Sequence, residues 1–206
     1  MPMDPVVILS AIFGLLLACV LHEWAHARAA YSLGDPTGKY DGRLSLSPAV
    51  HLDPIGSLVL LVSSLGTGGA MPIGWAKPVR HDPDNFRDPF LDVALVAAAG
   101  PSINFILGVL FACAYRFGLP LPIFWAVLVK MNIGFGLFNL LPFPPLDGWK
   151  MIQAVVPRDT SRWLREFERK VGPHAAPVLL VVTFFIIGPY LISPLFAKIM
   201  GLLLGN

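Results

Sequence analysis

The stretch Val20-Leu21-His22-Glu23-Trp24-Ala25-His26 decides the reading of this chain, because it sets two histidines four residues apart at the end of an apolar run. In a helix, positions i and i+4 share a face, so His22 and His26 project side by side and can chelate one Zn2+. Glu23 stands next to them, where its carboxylate can take a proton from a water that the metal polarises. The surroundings strengthen this. From Pro5 to Leu21 no residue is charged. Ionisable groups at the centre of a membrane helix cost roughly 2.5–3.5 kcal/mol each on insertion scales, so those that occur there are functional candidates.

Composition agrees with a membrane setting. Only 14% of the 206 residues are charged, 55% are hydrophobic and mean hydropathy is +0.68, whereas soluble domains carry about 25% charged residues. Cys19 and Cys113 lie inside apolar runs, which argues for core positions and against a disulfide framework or a cysteine metal site. The first apolar run lacks a basic segment before it and leads straight into the histidine motif, so it is expected to be retained as a span.

Working outward, the first span is expected over about Pro5–Ala27. Gly42–Ser47 alternates apolar and polar residues, which suggests a short strand, and Met71–Val79 is a second possible strand. Gly56–Ala70 is apolar but short and rich in Gly and Ser. Val93–Tyr115 and about Pro122–Leu141 are of spanning length, the latter interrupted by Lys130. The prolines between Pro142 and Pro145 cannot continue a helix, so Asp147 is expected on irregular backbone. Arg158–Lys170 carries five basic and three acidic residues. Trp163, Phe167 and Val171 recur along one side, as in a helix lying on a membrane surface or in a solvated connector. Pro177–Ala197 is the last apolar run, with a kink expected near Gly188-Pro189.

A catalytic zinc generally takes three protein ligands and keeps one position open. Asp35, Asp41, Asp82, Asp84, His81 and His174 fall in polar stretches. Asp147 instead ends a span in apolar surroundings, where a lone carboxylate is costly unless paired or metal-bound. Taken together, His22-Glu23-x-x-His26, Gly100-Pro101-x-x-Asn104 and Asn139-Leu-Leu-Pro142 with Leu146-Asp147-Gly148 resemble the signature of the site-2 protease family of intramembrane zinc metalloproteases. Gly42-Arg-Leu-Ser-Leu and His51-Leu-Asp-Pro-Ile-Gly resemble a loop of its compact prokaryotic members, which lack a PDZ domain. The resemblance implies one Zn2+ held by His22, His26 and Asp147, with Glu23 as general base. It also implies a polar active-site role for Asn104, as a donor to the substrate oxyanion; an interhelical hydrogen bond beside Gly100 is the alternative.

Parity tests the topology independently. One metal can bind all three ligands only if the two ligand-bearing helices run the same way, so an odd number of crossings separates them. Val93–Tyr115 is one; Gly56–Ala70 must therefore dip in and return. The loops holding Lys39/Arg43, Lys77/Arg80/Arg87 and Arg158–Lys170 then share a side, the cytoplasmic one by the positive-inside rule. The expected fold is an all-α polytopic membrane protein. It has about four transmembrane helices, a re-entrant segment and short β-strands near the active site, all within one integral-membrane domain over residues 1–206. It is expected in a prokaryotic cell membrane with its site toward the cytoplasm. The substrates are expected to be transmembrane proteins, unwound by adding a strand to the Gly42–Ser47 edge; no nucleic-acid partner is expected. The rivals are a metal transporter, which needs no general base between ligands, and a non-catalytic metal-binding membrane protein.

Overall fold

Asp4 starts the first helix, α1 (Pro5–Ser32), by accepting a hydrogen bond from the Val6 N–H at 2.8 Å, with Pro5 in the first turn, where no N–H is needed. It belongs to a computed structural model that describes residues 4–70 and 72–205, with 171–178, 180, 181, 187 and 189 described by backbone alone. One-turn helices α2 (Thr37–Tyr40) and α3 (Pro48–His51) follow, then α4 (Pro54–Gly66), α5 (Leu91–Arg116) and α6 (Pro122–Asn139). After an irregular stretch come α7 (Asp147–Val155) and α8 (Arg158–Val182). A π-helical turn over Thr183–Ile187 leads into α9 (Gly188–Leu204).

Three helices, α1, α5 and α6, are long and apolar enough to cross a membrane. They pack against one another, and their lipid-side residues, such as Leu9, Phe13, Ile106 and Leu110, are exposed. Lipid chains are as apolar as these side chains, so burial alone cannot hold the helices together; close approach and interhelical hydrogen bonds must. Both are present. Ala11, Leu15 and Cys19 of α1 meet Leu60 of α4 and Met131 of α6, while Ala112 of α5 meets Val129, Ile133 and Leu137 of α6 with Phe196 and Ile199 of α9 beside them. The fully buried Asn104 of α5 donates to Ala18 O of α1 at 3.1 Å and to Asn132 Oδ1 of α6 at 3.3 Å.

Among the described residues the expected strands do not form. Gly42 adopts φ +73° inside a turn, and Arg43 is buried, donating from Nη1 to Val50 O at 2.6 Å and Lys77 O at 3.1 Å. Turn geometry and an inward guanidinium replace the alternating edge that Gly42–Ser47 suggested. Residues 72–79 are extended but join no sheet; Met71 lies outside the described residues. Among the described residues the only β-contact is an isolated antiparallel bridge between Leu52 and Ala76.

That bridge closes a helix-and-return unit. Helix α4 has 13 residues, about 20 Å of rise, too short for a bilayer core of about 30 Å. After the turn at Gly68 and Gly69, both at positive φ, the chain comes back alongside it. Ser63 Oγ donates to Ile73 O at 3.1 Å and accepts from Ile73 N at 2.8 Å, and Lys77 N donates to His51 O at 2.7 Å. Gly56 and Gly74 permit this contact, since a Cβ on either would run into Trp75 O or Leu60 Cβ. At the tip, Gly69 packs on the backbone of Val7 and Ile8, and Lys130 Nζ donates to Ala70 O at 3.2 Å.

The polar loops interlock where α1 ends. Asp35, with no exposed surface, accepts from Thr37 N and Oγ1 at 3.0 and 2.6 Å, from Asp82 N at 2.9 Å and from Asn85 Nδ2 at 2.9 Å. Burial alone would raise its pKa, but these donors outweigh it and hold the carboxyl below its usual range. Arg80 pairs with Asp41 at 2.8 Å across the same two loops. The chain after Pro157 also differs from expectation: Arg158–Lys170 is not a separate surface helix but the first half of α8. Trp163 and Phe167 are exposed on it, and the Val171 side chain lies outside the described residues. Where a kink was expected near Gly188-Pro189, the backbone shows a π-helical turn that ends at Ile187 and continues as α9.

Candidate metal centre

Helix α1 presents His22 and His26 one turn apart, and α5 crosses directly over them. Gly100 makes that crossing possible, because a Cβ there would stand 2.5 Å from His26 Nε2 and 2.6 Å from His22 Cε1. Each imidazole is then fixed from behind. His22 Nδ1 lies 2.7 Å from Asn104 Oδ1, and His26 Nδ1 lies 2.7 Å from Val96 O. Both partners are acceptors, so both Nδ1 atoms carry the proton and both Nε2 atoms are left as lone-pair donors. Asn104 cannot turn round, since its Nδ2 is committed to Ala18 O and Asn132 Oδ1.

The third group comes from the far end of α6. The chain breaks after Asn139, and Asp147 heads α7 rather than sitting on irregular backbone; the irregular part is 140–146. Gly148 lets α7 fold back tightly, because a Cβ at that position would collide with the Leu140 carbonyl. Asp147 Oδ2 arrives 3.0 Å from His22 Nε2 and 3.3 Å from His26 Nε2, and all three residues are buried. Yet Oδ2 receives no well-directed hydrogen bond. Three lone-pair atoms crowded together in a buried pocket repel unless a cation lies among them. Their ligand atoms all fall within 4.8 Å of one another. Zinc bonds of about 2.0–2.1 Å in a tetrahedral site put ligand atoms roughly 3.3 Å apart, so the donor set fits zinc.

Glu23 points to the same space from the side, its Oε2 accepting from Val79 N at 2.9 Å. The returning segment after α4 therefore reaches the site and orients its free carboxylate. A cavity of about 120 Å3 opens here, walled by the three clustered residues, Glu23, Val79, His81, Ala97, Asn139 and Lys150. Pro101 has no N–H to bond Ala97 O, which leaves that carbonyl free of its helical partner at the cavity wall. Burial first, and Lys150 next, push His81 down to about 4, so its imidazole is neutral near pH 7.

The structure thus brings together His22, Glu23, His26 and Asp147. It places Asn104 behind His22, away from the cavity wall, in contact with the ring rather than with the space a substrate would enter. His81, Lys150, Gly100 and the Val79 N–H were not singled out for these positions by sequence. Lys150 had a usable signal, since it stands three residues after Asp147 and shares its helix face. The Val79 N–H had none, because a backbone contact between Val79 and Glu23 depends on how the chain returns after α4.

Comparison with known proteins supports the same conclusion. A model described as peptidase family M50 matches residues 116–184, the part that carries Asp147. YwhC of Bacillus subtilis strain 168, provisionally named a zinc metalloprotease, is 34% identical over 193 residues, covering 88% of this chain and 83% of YwhC. Rip2 of Mycolicibacterium smegmatis, with the same provisional name, is 32% identical over 163 residues, 77% of this chain. Rip2 of Mycobacterium tuberculosis H37Rv is 31% identical over 166 residues. The chain spans 61% of the length of each of these Rip2 proteins. No solved structure matches it. With its histidine pair, its helix-heading aspartate and a relative matched along most of both chains, this chain belongs to peptidase family M50, the site-2 protease family.

Proposed function

We propose that this chain is an intramembrane zinc metalloprotease that hydrolyses peptide bonds within or next to transmembrane segments of other membrane proteins. One observation carries the reading: two histidine Nε2 atoms and an orphaned Asp147 oxygen converge inside a helical bundle, with a free carboxylate beside them. His22, His26 and Asp147 are the ligands of one zinc ion. Zinc, when bound, supplies a Lewis acid that acidifies water and stabilises negative charge on a carbonyl oxygen. Glu23 takes the proton from the attacking water and returns it to the leaving amine; its hydrogen bond from Val79 holds it in position for both transfers. Asn104 and the Val96 carbonyl keep each imidazole in the tautomer a metal requires. A metal carrier would have no use for the Glu23 carboxylate beside its ligands.

The topology is four crossings: α1, α5, α6, and α8 with α9 together. Helix α4 and its return make a re-entrant unit. Support comes from the Leu52–Ala76 bridge, which holds the two ends of that unit at one level, and from the Arg80–Asp41 pair, which joins the loops before and after it. Arg158 and Arg165 lie over the Phe90 ring at 5.8 and 3.8 Å, which brings the third basic segment to the same side. By the positive-inside rule that side is the cytoplasm, so the active site opens toward it, in a prokaryotic cell membrane. Cysteines placed singly at Asp41 and Asp84, in a Cys19→Ser, Cys113→Ser background, should both resist an impermeant thiol reagent in intact cells. Labelling of Asp84→Cys alone would make α4 a true crossing.

Cleavage by reconstituted protein decides the enzyme reading. Wild type should cleave a transmembrane substrate, and Glu23→Gln should keep its zinc while losing at least about 100-fold in rate. A Glu23→Gln protein that cleaves at the wild-type rate would refute it.

A further inference from the structure

The cavity wall holds one cationic side chain among the described residues, Lys150, and that residue has no partner. It sits on the first turn of α7, three residues after Asp147, and lines the same space as Glu23 and the clustered ligands. No hydrogen bond or ion pair in the described residues engages its Nζ. Neither nearby carboxylate pairs with it: Asp147 Oδ2 faces the two histidine Nε2 atoms at 3.0 and 3.3 Å, and Glu23 Oε2 accepts from Val79 N. His81, the other titratable group on the wall, is neutral and offers no countercharge. With a dication held by one carboxylate and a second carboxylate alongside, Lys150 leaves the loaded cavity with a net positive charge. The charge of a half-buried lysine in such a place is compensated when something anionic enters.

We propose that Lys150 is a specificity-determining residue that binds a substrate carboxylate next to the scissile bond. The inference rests on the proteolytic reading above. The carboxylate is an Asp or Glu side chain flanking the cleaved bond, or the free carboxyl end of a chain trimmed close to it. Neutral segments lacking it leave Lys150 uncompensated in the closed complex, so they bind less well.

The test uses full-length, zinc-loaded protein in liposomes and one transmembrane substrate with Glu or Gln at each of six positions flanking the cleaved bond. A second pair, truncated near that bond, carries a free or amidated C-terminus. Within each enzyme the readout is the ratio of kcat/KM for the charged over the neutral member, which cancels any general loss of rate. Wild type should favour the carboxylate about tenfold at one position or at the free terminus. Lys150→Arg should keep the preference, Lys150→Met should bring the ratio to about one, and Lys150→Glu should drop it below one. The same pairs are titrated by fluorescence anisotropy against Glu23→Gln and Glu23→Gln/Lys150→Met, where nothing is cleaved. The affinity ratio should fall about tenfold with Lys150. If wild type cleaves nothing, the proteolytic reading fails, and the binding ratios still decide the role of Lys150. A wild-type ratio near one in both formats, or a preference that survives Lys150→Met, overturns the proposal.

Discussion

Replacing Gly100 with alanine tests whether the helix crossing, and not the histidine motif alone, makes the metal centre. The added Cβ would stand 2.5 Å from His26 Nε2 and 2.6 Å from both His22 Cε1 and His26 Cε1. Ordinary contact is about 3.5 Å, so the overlap is about 1 Å. Neither ring can yield cheaply, because His22 is held by Asn104 and His26 by the Val96 carbonyl. Either a ring leaves its rotamer or α5 moves away from α1, and metal-ligand distances tolerate only about 0.2 Å. Loss of an orienting partner alone costs about 10–100-fold in metal affinity, so Gly100→Ala should lose at least about 100-fold, roughly 2.8 kcal/mol. The assay is zinc competition against a chromophoric chelator in detergent, with thermal unfolding in parallel. Gly108→Ala is the control. On the same helix, its added Cβ meets Ile133 Cδ1 at 2.5 Å and Cγ1 at 2.8 Å, in the buried seam with α6 and not against either histidine. It should cost about 1–3 kcal/mol in stability at most and leave zinc affinity unchanged. A Gly100→Ala protein with wild-type zinc affinity would refute the reasoning.

Two other substitutions separate roles within the bundle. Asn104→Leu removes the acceptor behind His22, so zinc affinity should drop about 10–100-fold by competition titration; unchanged affinity with a lowered kcat would return Asn104 to the oxyanion. Lys130→Met should leave zinc content intact while amide exchange at Gly69 and Ala70 speeds up, because the ammonium is tied to the tip of the α4 turn and not to the metal ligands. Slow exchange there, equal to wild type, would show that the contact holds nothing.

The chemistry was legible in the chain because it depends on local spacing. An i, i+4 pair of histidines with a glutamate between them needs only a helix to become a chelating face, and the uncharged run before it supplies that helix. Asp147 was legible for a different reason: a carboxylate in an apolar stretch must be compensated, and the prolines before it broke the chain at that level. Parity of crossings also foretold that Gly56–Ala70 returns, which its pairing with residues 72–79 supports. The expected strands went wrong because alternation within Gly42–Ser47 says nothing about Gly42 taking positive φ or Arg43 turning inward to two carbonyls.

What the sequence by itself determined was therefore the proposed ligand set, the proposed base and the membrane setting, each set by residue type and spacing along one element. Only the tertiary structure decided how those groups are held. The Asn104 contact to His22, the Val96 carbonyl behind His26, the Val79 N–H on Glu23 and the open space at Gly100 all join residues more than 50 positions apart. Periodicity carries no distance between helices, so contacts of a few ångströms across a bundle exist only once the helices have packed.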